Sequence, residues 1–227
     1  MIRAATLALV LSAILPGQAL ACRMALLLAL DVSSSVDETE YLLQRNGLAA
    51  ALLAPEVEAA FISGSAPVAI SAFEWSGRYN QQTILDWRLI RSPSDLLAAS
   101  ERIASTRRSE DEFPTALGYA LGHAASLFDE APSCDRRTID VSGDGENNDG
   151  FAPGLAYRHF PLQNVTVNAL AIGGSVQLEE LIEYFRREVI RGPGSFVETA
   201  SDYNDFENAI RRKLERELST RAVGALR

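Results

Sequence analysis

Residues 24–30, Met-Ala-Leu-Leu-Leu-Ala-Leu, form an unbroken apolar run that ends at Asp31. A run this short has the length of a strand. Its lack of alternation fits a strand buried on both faces, as in a parallel sheet covered by helices. A carboxylate at the carboxyl end of such a strand lies where open α/β sheets place their ligands. Asp31, Ser33 and Ser35 follow at i, i+2 and i+4, so a tight loop can turn three oxygens toward one point. One carboxylate and two hydroxyls make a hard-oxygen set, suited to Mg²⁺, Mn²⁺ or Ca²⁺ rather than zinc or copper. Taken alone, the same string also reads as a turn that caps the next helix.

Residues 1–21 read as a secretory signal peptide. Arg3 is the one charge, Ala4 to Leu15 is apolar, and Ala19-Leu20-Ala21 is a cleavage site. The apolar stretch is too short to span a bilayer, and no later apolar segment reaches the required length. The expectation is a periplasmic or secreted protein with no transmembrane segment. Removing the signal takes the formal charge from −9 to −10, because Arg3 leaves with it. That balance disfavours nucleic acid and anionic membranes as partners.

The two cysteines are Cys22 and Cys134. Cys22 stands nine residues before Asp31, and Cys134 ten before Asp144, which follows a second apolar strand. If the two strands are parallel neighbours, both cysteines lie at the edge of the sheet away from the ligands. An exported protein can then close a disulfide there. Lipidation of Cys22 after the signal is the competing fate, and it is disfavoured because Ala19 replaces the bulkier aliphatic that a lipoprotein signal prefers.

The rest of the chain alternates strands and helices. Leu42, Leu43, Leu48, Leu52 and Leu53 recur with helical spacing before Pro55. Residues 68–75 read as a second strand, and 82–90 as an antiparallel edge strand joined to it by a hairpin. Ser94 is placed at the start of a helix to about Ser105, and Pro114 in the first turn of another to Phe128, with Thr115 at its exposed start. Residues 137–142 and 164–172 are strands, 176–189 a helix, and 195–198 a short strand. Ser201 is expected to cap the last helix, with Arg211, Arg212 and Lys213 late in it.

The loop Gly143-Asp-Gly-Glu-Asn-Asn-Asp-Gly150 is acidic and glycine-rich. It fails as an EF-hand, because Asp149 and Leu155 stand where Gly and an acid are needed. It fails as a dinucleotide loop, because Asn148 stands at the third glycine. What remains is one carboxylate, Asp144, at a strand's carboxyl end. Glu74, closing the second strand, and Glu146 are candidates for supporting roles beside it.

The predicted fold class is therefore a doubly wound, mostly parallel α/β sheet with one antiparallel edge strand. It forms one domain over 22–218, followed by a frayed tail at 219–227. Asp31-x-Ser33-x-Ser35, Thr115 and Asp144, in that order on this topology, resemble a von Willebrand factor A-type (VWA) domain with a metal-ion-dependent adhesion site. The exported single-domain form is similar to a group of proteobacterial VWA proteins. The resemblance implies that Ser33 and Ser35 bind a divalent cation directly, Mg²⁺ or else Mn²⁺ or Ca²⁺. It implies that Thr115 binds directly or through water, and that Asp31 and Asp144 bind mainly through water. It also implies that the first and fourth strands are neighbours and that a carboxylate from a partner protein completes the metal shell. Phe113-Pro114 stand where that family often has glycines. The expected function is a non-enzymatic, metal-dependent protein-binding module. A hydrolase using metal-activated water and a scaffold with a vestigial site are the alternatives. The sequence has two histidines, His123 and His159, and contains neither a G-x-S-x-G elbow nor an H-E-x-x-H motif.

Overall fold

The computed structural model describes residues 22–174 and 177–219. The expected signal peptide, the cleavage site before Cys22, Val176 and residues 220–227 of the tail lie outside them. In chain order the elements are β1 (Met24–Asp31), α1 (Glu38–Leu52), α2 (Pro55–Ile62), β2 (Val68–Ser76), β3 (Asn80–Ile90), α3 (Pro93–Ala104), α4 (Leu117–Leu127), β4 (Arg137–Gly143), α5 (Pro153–His159), β5 (Val165–Ile172), α6 (Leu178–Tyr184), β6 (Val197–Ala200) and α7 (Phe206–Ser219). The strands form a six-stranded sheet in the order β3-β2-β1-β4-β5-β6. β3 is antiparallel to β2, and the other pairs are parallel.

Every residue of β1 is buried, which is why the run does not alternate. Its even-numbered apolar side chains, with Leu48, Leu52, Ile103, Phe206 and Leu214, build the core beneath α1, α3 and α7. Ala25, Leu27 and Ala29 face the other way, into a second core with Leu121, Val141, Val167 and Phe185. Burying each such leucine stabilises the fold by about 1.5–3 kcal/mol. The helices thus cover both faces, and the loops that carry Asp31, Ser33, Ser35 and Asp144 emerge together at the carboxyl ends of β1 and β4.

Several boundaries differ from the sequence reading, each for a local reason. Ser92, not Ser94, caps α3, because Pro93 takes the first helical position where no N–H is needed. Pro114 and Thr115 precede α4 rather than opening it. α7 starts at Phe206, not at Ser201. Residues 201–205 form a turn in which Asp202 Oδ1 accepts from the N–H groups of Asn204 and Asp205. β6 spans Val197–Ala200 rather than 195–198. α6 runs on into a π-helical turn over Phe185–Val189. In α1 the inward stripe is Tyr41, Gln44, Leu48 and Leu52, while Leu42 and Leu53 face solvent.

Cys22 and Cys134 form a disulfide, with Cα atoms 4.4 Å apart. They pair as an isolated parallel bridge at the amino ends of β1 and β4, the edge away from Asp31. Beside them Arg23 donates to the carbonyls of Ala60, Phe61 and Leu218, which ties α2 and the last turn of α7 to the start of β1.

Lys213, which the sequence places late in the last helix, lies in the middle of α7. It is fully buried, with Nζ 2.6 Å from Asp140 Oδ1 on β4 and 2.9 Å from Glu217 Oε1 on α7. Asn168 Nδ2 on β5 donates to the same Glu217 oxygen at 2.7 Å. Two acids thus share one base. Burial, then the charge of Asp140, push the Glu217 carboxyl up to about 8, and Lys213 and Asn168 offset this only in part.

Both the disulfide and the buried acid pair can be tested through stability. The disulfide joins residues 112 apart, so the Cys22→Ser/Cys134→Ser double variant should lose on the order of 4 kcal/mol of stability in a denaturant titration of oxidised protein. Glu217 binds its proton more tightly in the folded than in the unfolded chain, so its contribution is complete below the unfolded value and declines as pH rises through the folded one. The stability of Glu217→Gln relative to wild type should therefore improve between about pH 5 and about pH 9, measured by thermal melts across that range.

Candidate metal centre

Five side chains from three separate loops meet at the carboxyl ends of β1 and β4. Asp31 closes β1, and its Oδ1 accepts the Ser33 N–H at 2.8 Å, which bends the chain into the turn carrying Ser33 and Ser35. Ser33 Oγ lies 3.2 Å from Ser35 Oγ. Thr115 Oγ1 donates to Ser33 Oγ at 3.2 Å. Ser35 Oγ donates to Asp144 Oδ1 at 2.7 Å. Three hydroxyls and the Asp144 carboxylate are thus joined in one hydrogen-bonded chain, with Asp31 behind it. Asp31, Ser33, Thr115 and Asp144 are buried. Thr115 is 3 % exposed, which corrects the expectation of an exposed helix start.

Two carboxylates buried together resist ionisation. Burial, then the charge of Asp144, push the Asp31 carboxyl up to about 8, while hydrogen bonds from Ser33 and the charge of Arg108 pull the other way. Burial also pushes Asp144 up, against the hydrogen bond from Ser35. Asp31 Oδ2 is buried with no hydrogen-bond partner. No group of three or more His, Cys, Asp or Glu side chains is placed to hold a metal among the described residues. The set here is instead two carboxylates and three hydroxyls. That chemistry fits a hard divalent cation, which would offset the burial of two negative charges and occupy oxygen lone pairs.

The surrounding loops hold this set in place. Arg108, from the charged 105–113 loop, donates through Nη2 to the carbonyls of Val32 and Ser33 at 3.1 and 2.9 Å. The Ser34 N–H donates to the Phe113 carbonyl at 2.8 Å. Asn148 Oδ1 accepts the Thr115 N–H at 2.9 Å, and Asn147 Oδ1 accepts the Gly118 N–H at 3.0 Å in the first turn of α4. Gln44 Nε2 donates to the Asp31 carbonyl at 2.9 Å. None of the side chains of Arg108, Asn147, Asn148 and Gln44 stands out in the sequence. Asn147 and Asn148 do carry the signature of helix-capping residues, but the helix they serve lies 29 to 33 residues earlier in the chain.

Of the two supporting candidates, Glu74 is buried but does not touch the five. Its Oε1 accepts from Tyr41 Oη at 2.9 Å and its Oε2 from the Ser109 N–H at 3.2 Å. It therefore secures the loop that delivers Arg108. Glu146 is exposed at the rim. Tyr203, in the turn before α7, is 3 % exposed. Burial and the charges of Asp144, Asp31 and Glu40 push its hydroxyl far up, so it stays a neutral phenol. His123 packs against Phe73 with ring centroids 5.1 Å apart.

The fold is that of a von Willebrand factor A-type domain. Proximal thread matrix protein 1 of the mussel byssus, in a structure with a zinc-occupied MIDAS motif, superposes with a TM-score of 0.63 at 16% identity, over 87% of this chain and 48% of that one. The von Willebrand factor type A protein from Catenulispora acidiphila matches with a TM-score of 0.57 at 19% identity, over 87% and 43%. BatB from Bacteroides thetaiotaomicron matches with a TM-score of 0.55 at 18% identity, over 87% of this chain and 100% of BatB. The chain spans about half the length of the mussel protein. No curated protein matches the sequence. The chain belongs to the family described as "Protein of unknown function (DUF1194)", whose model matches residues 21–222.

Asn148→Ala should free the Thr115 N–H and loosen the turn that presents the Thr115 hydroxyl. The expected result is roughly a tenfold loss of divalent-cation affinity by calorimetry, the usual scale for an outer-sphere support, with an unchanged far-ultraviolet circular dichroism spectrum.

Proposed function

We propose that the protein is an exported, non-enzymatic module that binds a protein partner through a divalent cation. The observation that carries this reading is the convergence of Ser33, Ser35 and Thr115 hydroxyls with Asp144 and Asp31 in one hydrogen-bonded set, four of them buried. Ser33, Ser35 and Thr115 would hold the cation, with Asp31 and Asp144 carrying the compensating charge. Mg²⁺ suits this set best, since it takes an octahedral oxygen shell and keeps exchangeable water. A partner carboxylate would replace one such water. The zinc-occupied MIDAS of the mussel protein supports a divalent ion at the equivalent place.

The site's hydroxyls engage one another and Asp144, not a histidine base, which favours binding over nucleophilic catalysis. Export is supported by the disulfide, which belongs to oxidising compartments, and by the leader-like residues 1–21. A bonded Cys22 also has no thiol left for a lipid anchor. No helix among the described residues is long and apolar enough to cross a membrane. One domain over 22–218 accounts for both cores.

The test is a titration of chelator-stripped protein with Mg²⁺, Mn²⁺ and Ca²⁺, followed by calorimetry and thermal melting, beside Ser33→Ala and Asp31→Ala. Wild type should bind one ion with a rise in melting temperature. Both variants should lose at least roughly tenfold in affinity, on the scale of a lost ligand or its support, while keeping the fold. Equal binding by wild type and both variants would rule out this site as the metal centre.

A further inference from the structure

Trp75 lies at the back of the metal centre, and its placement is dictated by the sheet. Asp31 and Trp75 are in-register partners on β1 and β2. Gly143 follows Ser142, the partner of Leu30, so it stands beside Asp31 on the other flank. The three residues therefore form one row across β2, β1 and β4. In-register neighbours on parallel strands point to the same face, and Trp75 belongs to the core that holds Ala29 and Val141. The strand that ends in the site's carboxylate is thus flanked by the largest side chain on one side and by none on the other.

The indole uses that asymmetry. A Cβ built on Gly143 would lie 3.0 Å from Asp31 Oδ2 and 3.7 Å from Trp75 Cζ2. The indole thus reaches across β1 into the space that Gly143 leaves open, and the Asp31 carboxylate borders the same space. Cζ2 is two bonds from Nε1. Trp75 Nε1 and Asp31 Oδ2 are both buried, and neither has a hydrogen-bond partner. Trp75 is fully buried and Asp31 equally so. One group is a donor and the other an acceptor, and the ring edge next to the donor borders the same space as the acceptor. Buried polar groups in folded proteins are satisfied, where not directly, by ordered water.

We propose that Trp75 is a positioning residue of the metal centre, its indole N–H reaching Asp31 Oδ2 through one buried water held in the cradle over Gly143. This rests on the metal-binding reading above. The Ser33 N–H fixes the inner oxygen of Asp31, and the Trp75 relay fixes the outer one. Together they set the carboxylate's plane from two sides. Outer-sphere partners of this kind orient the groups around a cation and support their negative charge. The relay also gives the site a spectroscopic reporter, because the other tryptophan, Trp87, donates its Nε1–H to the Leu127 carbonyl at 2.9 Å, at the opposite end of α4 from Thr115.

The experiment uses ¹⁵N-labelled protein stripped of metal and titrated with Mg²⁺, with the two indole N–H resonances assigned through Trp87→Phe. The Trp75 resonance should move on saturation, while that of Trp87 stays in place. Trp75→Phe keeps an aromatic ring and removes the donor. It should raise the Mg²⁺ dissociation constant about tenfold, beyond any change in the melting temperature of the metal-free protein. A residue that only fills space would lower that melting temperature and leave the affinity alone. An unmoved Trp75 resonance on a wild type that does bind Mg²⁺, or equal affinity in Trp75→Phe, overturns the proposal and leaves the metal centre standing. A wild type that binds no Mg²⁺ removes the metal centre itself and the proposal with it. If Trp75→Phe fails to fold, the wild-type resonance decides alone.

Discussion

The structure depends on two carboxylates, Asp31 and Asp144, buried together at the ends of neighbouring parallel strands. Burying like charges side by side is costly, and the cost shapes what surrounds them. Backbone N–H groups and hydroxyls point inward: the Ser33 N–H to Asp31 and the Ser35 hydroxyl to Asp144. Arg108 approaches from an outer loop and directs its hydrogen bonds to the Val32 and Ser33 carbonyls. Its charge therefore helps Asp31 without closing over it. A parallel sheet is the scaffold that permits this, because β1 and β4 deliver both acids to one edge while their apolar residues stay in the two cores.

Strand β4 and the loop it feeds show two ways of burying an aspartate. Asp140 sits mid-strand and meets Lys213, with Glu217 and Asn168 completing the group. That network is built within the fold, from β4, β5 and α7, and its partners are all side chains of the chain itself. Four residues later, Asp144 receives a hydroxyl from a loop 109 residues away in sequence. The first arrangement closes on its own cation and fastens α7 to the sheet. The second gathers hydroxyl oxygens around a carboxylate at the sheet's carboxyl edge. Residue type alone does not separate these roles; the neighbours supplied by the topology do.

The sheet was legible in the sequence because burial on both faces erases alternation, and β1 carries that mark clearly. The convergence of five side chains was legible because Asp31, Ser33 and Ser35 lie within one turn, and because Thr115 and Asp144 flank elements whose order is readable. The supports were not. Arg108 looks like one more charge in an irregular loop, and Asn147 and Asn148 serve a helix start far back in the chain. Lys213 looked like a late helical cation because the partners that bury it come from β4 and from the following turn of α7. Ser92, Phe206 and the true stripe of α1 were displaced by side-chain competition that periodicity does not encode: Pro93 fixing a first turn, Asp202 holding a non-helical one, and Tyr41 turning inward to meet Glu74.

The two edges of the sheet are secured by different means, and this bears on how the site works. At the amino ends, the disulfide and the Arg23 contacts bind β1, β4, α2 and α7 together. At the carboxyl ends, the site loops are joined by hydrogen bonds: the Ser34 N–H to Phe113, the Gly77 N–H to Pro114, and three between Thr115 and Asn148–Asp149. Bonds of this kind each contribute about 1 kcal/mol net, less than a disulfide that closes a long loop. A cation that prefers one oxygen geometry would then tighten three loops at once, because Ser33, Thr115 and Asp144 each come from a different one. Under the proposed function, that binding energy would go into ordering the carboxyl edge of the sheet, not into holding the domain together.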